Sequence, residues 1–386
     1  MINPYIFLQL DSIGSIFGIS ISAVQVMPVI SVISLFFFVF IWFYKEGLKI
    51  SISEIFVILI ILIYLIIISV IEIYFNNWSP YYINGFFRQS ISLIVFLSMY
   101  LMFRLISKDY KYIFYGVYLG IFLLIPISIF QLLDLVFSSK RLSGFSSEPS
   151  HFGHFLVFAL IPALILLRER IKFYKILIIY CNILVFLTFS ITALFQLFIL
   201  YFVIFFNFNL RNLLLFFTFL ALIGVGIFLS QDSYLFSNLK LFLSLEAFED
   251  GISVSASLAD RYYSVVAPIK NLGSSISIFG NGIASDYYYF NNLVPYPANE
   301  LIANQRSGYV GFSSFFAKVI CWGGLPLLTA LTTVLVSLYR NADIKVRRFI
   351  IPVIIASTYS LGSLATPYIC LWLAILRLSN IKISNQ

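Results

Sequence analysis

The chain has 386 residues, of which 61% are hydrophobic and only 10% charged, with a mean hydropathy of +1.01. A soluble domain carries about 25% charged residues, so this sequence has more apolar surface than one water-soluble core can bury. That excludes a soluble globular enzyme and a nucleic-acid-binding module, and the net charge of +8 needs an explanation in topology instead.

Apolar runs of roughly 20 residues recur from end to end, each long enough to cross about 30 Å of hydrocarbon as a helix. A β-barrel would show weak ten-residue alternation. The expected fold class is therefore an all-α polytopic membrane protein. In chain order, spans are predicted at Ala23–Tyr44, Glu54–Phe75, Asn84–Phe103, Tyr112–Phe137, Phe152–Leu167, Phe173–Phe189, Thr192–Phe206, Asn212–Ser230, Val310–Tyr339, Phe349–Leu364 and Pro367–Leu378. The stretch Ile6–Ile21 is apolar but broken by Gln9, Asp11, Gly14 and Gly18, so it admits a span, a re-entrant turn or a surface helix. The count is about 11 spans, or about 12 if this stretch crosses.

Every second connection holds the basic residues: Lys45 and Lys49, Arg104 to Lys111, Arg168 to Lys175, Arg211, Arg340 to Arg348, then Arg377 and Lys382. The positive-inside rule makes these cytoplasmic. The alternate connections face outward, including Ser138–His151 and the long Gln231–Tyr309 segment. The chain thus divides into 1–230, spans with short connections; 231–309, one long extracytoplasmic loop; and 310–386, the closing spans. The N-terminus lacks a basic region and a small-residue cleavage site, so it is read as mature protein. Cys181, Cys321 and Cys370 fall in predicted helices as packing residues. No period of 20 to 50 residues and no duplication of halves is visible, which disfavours a transporter built from repeats.

Polar chemistry concentrates in RLSGFSSEPSHFGHF, Arg141 to Phe155, which contains both histidines of the chain. Ser-Ser-Glu-Pro ahead of an apolar run is a helix start, with Pro149 at the first helical position and Glu148 or a serine as cap. His151 and His154, three residues apart, share one helix face. The bland reading is a cap followed by two neutral, hydrogen-bonded histidines. The functional reading is a partly desolvated site that exchanges a proton and holds an anion, with Glu148, His151 and His154 as catalytic candidates beside Arg141. There is no further histidine and no carboxylate at a ligand interval, which argues against a metal.

Four arginines lie outside the cytoplasmic connections: Arg88, Arg141, Arg261 in ADRYYS and Arg306 in NQRSGYVGF. A guanidinium stays charged and donates in a fork, which suits a phosphate. Interface anchoring is the competing reading and fits Arg88 best. The long loop also carries Tyr262, Tyr263 and Tyr288 among other aromatics, which offer flat faces and hydroxyls to sugars or else sit at the membrane interface. Within it, Leu235–Phe248 reads as a surface helix. Lys318 stands about two turns inside its predicted span, a weaker candidate. The glycines of FGNGIAS and GYVGF permit tight turns or close backbone approach.

These residues resemble the O-antigen polymerases (Wzy-type) of the polymerase and ligase superfamily. RLSGFSSEPSHFGHF is similar to the arginine-glycine-glutamate-proline-serine pattern those proteins place before a membrane helix. DRYYSVVAPIKNLGSSISIFGNGIAS resembles their outer-loop arginine followed by a glycine-rich FGxG turn, and NQRSGYVGFSSFFAKVICWGGLPLL resembles the return from loop to helix. The resemblance covers topology over nearly the whole chain but residue patterns only in these three segments. It implies a fold like that of the GT-C glycosyltransferases and an active site on the periplasmic side of a bacterial inner membrane, with no metal or nucleotide-sugar cofactor.

On that resemblance, the partners are an undecaprenyl-diphosphate-linked oligosaccharide donor, a second such repeat as acceptor, membrane lipids and, as a candidate, a chain-length-regulating co-polymerase. Arg141, Arg261, Arg306 and Arg88 would bind the diphosphate, Glu148 or His151 would be the base, and Tyr262, Tyr263 and Tyr288 would bind sugar. The related ligases carry a histidine just before the return helix. This chain has Asn304-Gln305-Arg306-Ser307 there, which favours polymerase over ligase and leaves the base open. A lipid-linked oligosaccharide flippase, a ligase and a structural membrane protein are the rival readings.

Overall fold

The structure is a computed structural model, and it describes residues 52–76, 80–106, 110–138, 142, 149–205, 256–270, 278–294, 296, 300, 302, 311–361 and 368–384. The described residues are mostly helical. Helices run as α1 (Ile52–Asn76), α2 (Pro80–Ile106), α3 (Tyr110–Ser138), α4 (Pro149–Leu166), α5 (Tyr174–Leu187), α6 (Ile191–Phe205), α7 (Ala256–Lys270), α8 (Ser285–Leu293), α9 (Phe315–Asn341), α10 (Ile344–Tyr359) and α11 (Tyr368–Ser384). A helix stands at nine of the predicted spans. The other two, Ala23–Tyr44 and Asn212–Ser230, lie outside the described residues, as do Ile6–Ile21 and Leu235–Phe248.

Among the described residues, three helices are long and apolar enough to cross a membrane: α1 over Phe56–Phe75, α4 and α9. Shorter apolar helices include Tyr174–Leu187, Ile191–Ile204 and Tyr368–Ser379. The α1 surface carries Ile60, Ile63, Ile67 and Val70 exposed, a contiguous apolar face that water would not tolerate and lipid would. This is the surface of a membrane protein.

Burial is greatest in α4, which is surrounded by α3, α5, α6, α10 and α11. Its sequence forces an irregularity. Pro162 has no N–H to donate to the carbonyl four residues back, at Phe158, and its ring crowds that carbonyl. The helix responds with a π-helical turn over Leu156–Leu160, and the indole Nε1 of Trp372 on α11 donates to the Phe158 carbonyl at 2.9 Å. A buried polar group is thereby satisfied from a neighbouring helix. Gly153 brings α4 against α6, since a Cβ there would collide with Ala193.

The same chemistry recurs in α9, where the sequence CWGGLP predicts a continuous span and the structure has a kink. Gly324 adopts φ +58°, ψ −153°, a conformation open only to glycine at low cost. Two carbonyls lose their helical donors, Cys321 to the Gly324 break and Trp322 to Pro326. The turn of FGNG supplies both: Asn281 N–H donates to Cys321 O at 2.8 Å and Gly282 N–H to Trp322 O at 2.9 Å. Tyr64 on α1 closes the joint by donating to Phe279 O at 2.8 Å and to Gly323 O at 3.2 Å.

Helices α7 and α8 fall within the 231–309 stretch read as a long loop. Both have buried faces, α7 against α9 and α10 and α8 against α2 and α9. Polar side chains on both, Ser264 on α7 and Asp286 on α8, find partners inside the bundle.

Candidate functional site

Chain direction gathers one end of several helices together. The starts of α4, α6, α9 and α11 and the end of α10 share one side. The bridge from Ser314 to Leu361 ties the start of α9 to the end of α10, with Phe315 N–H donating to Ser360 O at 3.1 Å. At this end three of the residues singled out from the sequence, His151, His154 and Arg261, meet. His151 and His154 project from the first turns of α4 with ring centroids 6.0 Å apart, as the three-residue spacing predicts.

His154 is 3% exposed. Its ring sits among His151, Phe158 at 6.1 Å and Tyr368 at 6.3 Å, the last edge-on. Neither ring nitrogen has a hydrogen-bond partner among the described residues. The reading of two hydrogen-bonded structural histidines therefore does not describe His154, because a buried imidazole without a partner carries a desolvation cost that an apolar residue of similar shape would avoid. His151 is half-buried, and its carbonyl accepts from Tyr368 Oη at 3.4 Å.

Arg261, half-buried on α7, lies within electrostatic reach of both His154 and Tyr359. The structure thus brings together His151, His154 and Arg261 across more than a hundred residues of sequence. Two groups join them that sequence reasoning did not select. Gln196 on α6 is fully buried and donates from Nε2 to Ser360 Oγ at 3.2 Å. Tyr359 at the end of α10 lies beside it, and by strict geometry the Gln196 Oε1 and the Tyr359 hydroxyl make no bond. The two groups are close but not aligned for a hydrogen bond. The available signal was a single amide, Gln196, inside the apolar run ITALFQLFIL.

Tyr262 and Tyr263 follow Arg261 on α7 with rings edge-to-face at 5.1 Å. Burial, then the neighbouring Tyr262, pushes the Tyr263 hydroxyl above its ordinary pKa. Tyr288 belongs to α8 and Arg88 to α2. Those helices pack on each other, apart from the α7–α10 contact that holds Arg261. Glu148, Arg141 and Arg306 lie outside the described residues. Next to Arg141, Leu142 is fully buried with its N–H on Leu187 O at 3.3 Å, and next to Glu148, Pro149 opens α4.

A second polar cluster surrounds Asp286, fully buried at the start of α8. Trp322 Nε1 donates to its Oδ1 at 2.6 Å, the Phe312 N–H also donates to it, and the Lys318 ammonium stands 3.9 Å from Oδ2. Lys318 also lies 6.0 Å from the Trp322 ring. The deep Lys318 is thus explained by a buried ion pair. Nearby, Asn281 Nδ2 donates to Glu72 at 2.9 Å and Ser69 Oγ accepts from Ile283 N–H at 2.8 Å. No family model matches the chain, and neither a curated protein nor a solved structure resembles it at a significant level.

Proposed function

We propose that this chain is a polysaccharide repeat-unit polymerase of the O-antigen polymerase type, a glycosyltransferase embedded in a bacterial inner membrane with its site toward the periplasm. The observation that carries the reading is His154: an imidazole 3% exposed, without a hydrogen-bond partner for either nitrogen among the described residues, beside His151 and Arg261. Such a group is costly in a fold and useful in a reaction that moves a proton next to a departing anion.

The donor in this reading is a glycan on undecaprenyl diphosphate and the acceptor a second lipid-linked repeat. Arg261, with Arg141, Arg306 and Arg88 as further candidates, binds the diphosphate. The acceptor hydroxyl gives its proton to His151 or Glu148, its oxygen bonds to the anomeric carbon, and the bond from that carbon to the diphosphate oxygen breaks. The configuration inverts, and the electron pair leaves on the diphosphate, where guanidinium stabilises it. Tyr262 and Tyr263 are placed by sequence to meet sugar next to Arg261, and Tyr288 is a more distant candidate. A chain-length-regulating co-polymerase is a proposed partner.

The test is the surface polysaccharide profile of cells lacking the gene and complemented with wild type, Glu148→Gln or Arg261→Lys. Collapse of a ladder to single-repeat material in the deletion and in both variants supports the reading. A full ladder from both variants at normal protein level overturns the site assignment.

One observation favours a second reading, a lipid-linked oligosaccharide flippase. The buried Asp286–Lys318 pair puts opposite charges among the helices, as transporters do. In that case the deletion leaves lipid-linked repeats on the cytoplasmic face. A ligase would leave polymer on its lipid carrier.

A further inference from the structure

At the end of the bundle opposite His154, a cavity of about 300 Å³ opens where α4 and α6 finish and α10 begins. Arg168, Lys345 and Arg348 line it against the single carboxylate of Glu169, and Ile204 and Phe349 form its apolar wall. Positive charge here belongs to side chains, because the start of α10 is already capped by Asp343, whose Oδ1 accepts from Lys345 N–H at 2.9 Å.

Neighbouring cations are committed elsewhere. Arg347 donates to Ala342 O at 2.7 Å and to Arg340 O at 2.8 Å, and Arg170 donates to the Tyr115 hydroxyl at 2.7 Å. The side-chain cations of Arg168, Lys345 and Arg348, by contrast, make no hydrogen bond or ion pair with the described residues. Three unspent cations around one cavity are an anion site. Beside them Ile344 is 65% exposed, an apolar residue at the lip of a charged pocket, which a free phosphate does not need and an acyl chain does.

We propose that this cavity binds the headgroup of an anionic phospholipid, with phosphate among Arg168, Lys345 and Arg348 and the acyl chains leaving past Ile344 and Ile204. The site lies on the basic side of the protein, where anionic lipid is attracted by such residues. It is separate from the His154 cluster and independent of the glycosyl-transfer reading.

The experiment uses the purified full chain in neutral detergent and measures thermal unfolding and binding with three probes: dioctanoyl phosphatidylglycerol, dioctanoyl phosphatidylcholine and inorganic phosphate. Phosphatidylglycerol is expected to raise the unfolding temperature saturably, and the other two to do so little. Each single change, Arg168→Gln, Lys345→Gln or Arg348→Gln, should weaken binding about fivefold, whereas Lys172→Gln leaves it unchanged. Equal stabilisation by phosphatidylcholine, full stabilisation by inorganic phosphate, or undiminished binding in folded single variants overturns the proposal.

Discussion

The Gly282 N–H donates to the Trp322 carbonyl at 2.9 Å, occupying the position that Pro326 leaves without a donor in α9. Gly282 can do this because its φ is +83° and because it has no Cβ to meet the Ser69 backbone. Alanine in left-handed geometry costs about 1–2 kcal/mol before any clash. Gly282→Ala is therefore expected to destabilise the protein by more than about 2 kcal/mol. Gly120→Ala should act in the opposite sense, since its Cβ would meet only the Phe155 ring at 3.8 Å and helical alanine is favoured over glycine. Thermal unfolding in one detergent compares them, and equal stability of the two variants would sink the account of the kink.

The Asp286–Lys318 pair makes a different prediction. Breaking a buried pair by removing one partner costs about 3–5 kcal/mol, whereas replacing both with apolar groups of similar volume is often close to neutral. Asp286→Leu should be the worse single change, because it leaves Lys318, 7% exposed, with a buried charge and also removes the acceptor of Trp322. Lys318→Met leaves Asp286 with the indole and backbone donors. The double variant should be more stable than the sum of the two losses, and a double-mutant cycle on unfolding midpoints measures the coupling. Strict additivity would remove the ion pair from the picture.

Asp286 also carries a pH signature. Burial raises its pKa above the ordinary 3.8, opposed by the Lys318 charge and then by the Trp322 hydrogen bond. With the folded value above the unfolded one, the unfolded chain loses its proton first as pH climbs. The stability this group contributes is thus fully present below the unfolded pKa and is lost as pH rises through the folded pKa. Asp286→Asn abolishes that titration, so the unfolding temperature of the variant minus that of wild type should increase as pH rises from below 3.8 and then level off. A decreasing difference over the same range would reverse the sign of the shift.

The helices were legible because crossing hydrocarbon needs long apolar runs, and runs such as Glu54–Phe75 have no other use. α7 and α8 were not, because their burial depends on partners distant in sequence: Asp286 reads as a solvated loop acid until Trp322 and Lys318 are brought to it. The spans over α4 and α9 read as continuous although Pro162 and Pro326 stand in them, and nothing local in the sequence shows that Trp372 and Gly282 supply the missing donors. In the site, scarcity was the useful signal, since two histidines and an outward arginine stand out in so apolar a chain. Gln196 and Tyr359 stayed hidden because one amide or one tyrosine in a helix is ordinary until the fold sets Gln196 of α6 beside Tyr359 of α10, within electrostatic reach of Arg261.

His154 separates function from stability most directly. If its two unpartnered nitrogens serve only packing, they are a liability: burying an unsatisfied polar group costs about 1–3 kcal/mol. Its neighbours are aromatic, Phe158 and Tyr368, so a phenyl ring fits the surroundings and needs no hydrogen bond. His154→Phe should therefore raise the unfolding temperature of the purified protein while removing the polysaccharide ladder in complemented cells, the pattern of a residue kept for chemistry against the interest of the fold. His154→Gln, which retains a donor and an acceptor, should keep more of the ladder than His154→Phe. A stabilised His154→Phe variant with an intact ladder would make the histidine dispensable, and a destabilised one would mean that a partner satisfies it in the folded protein.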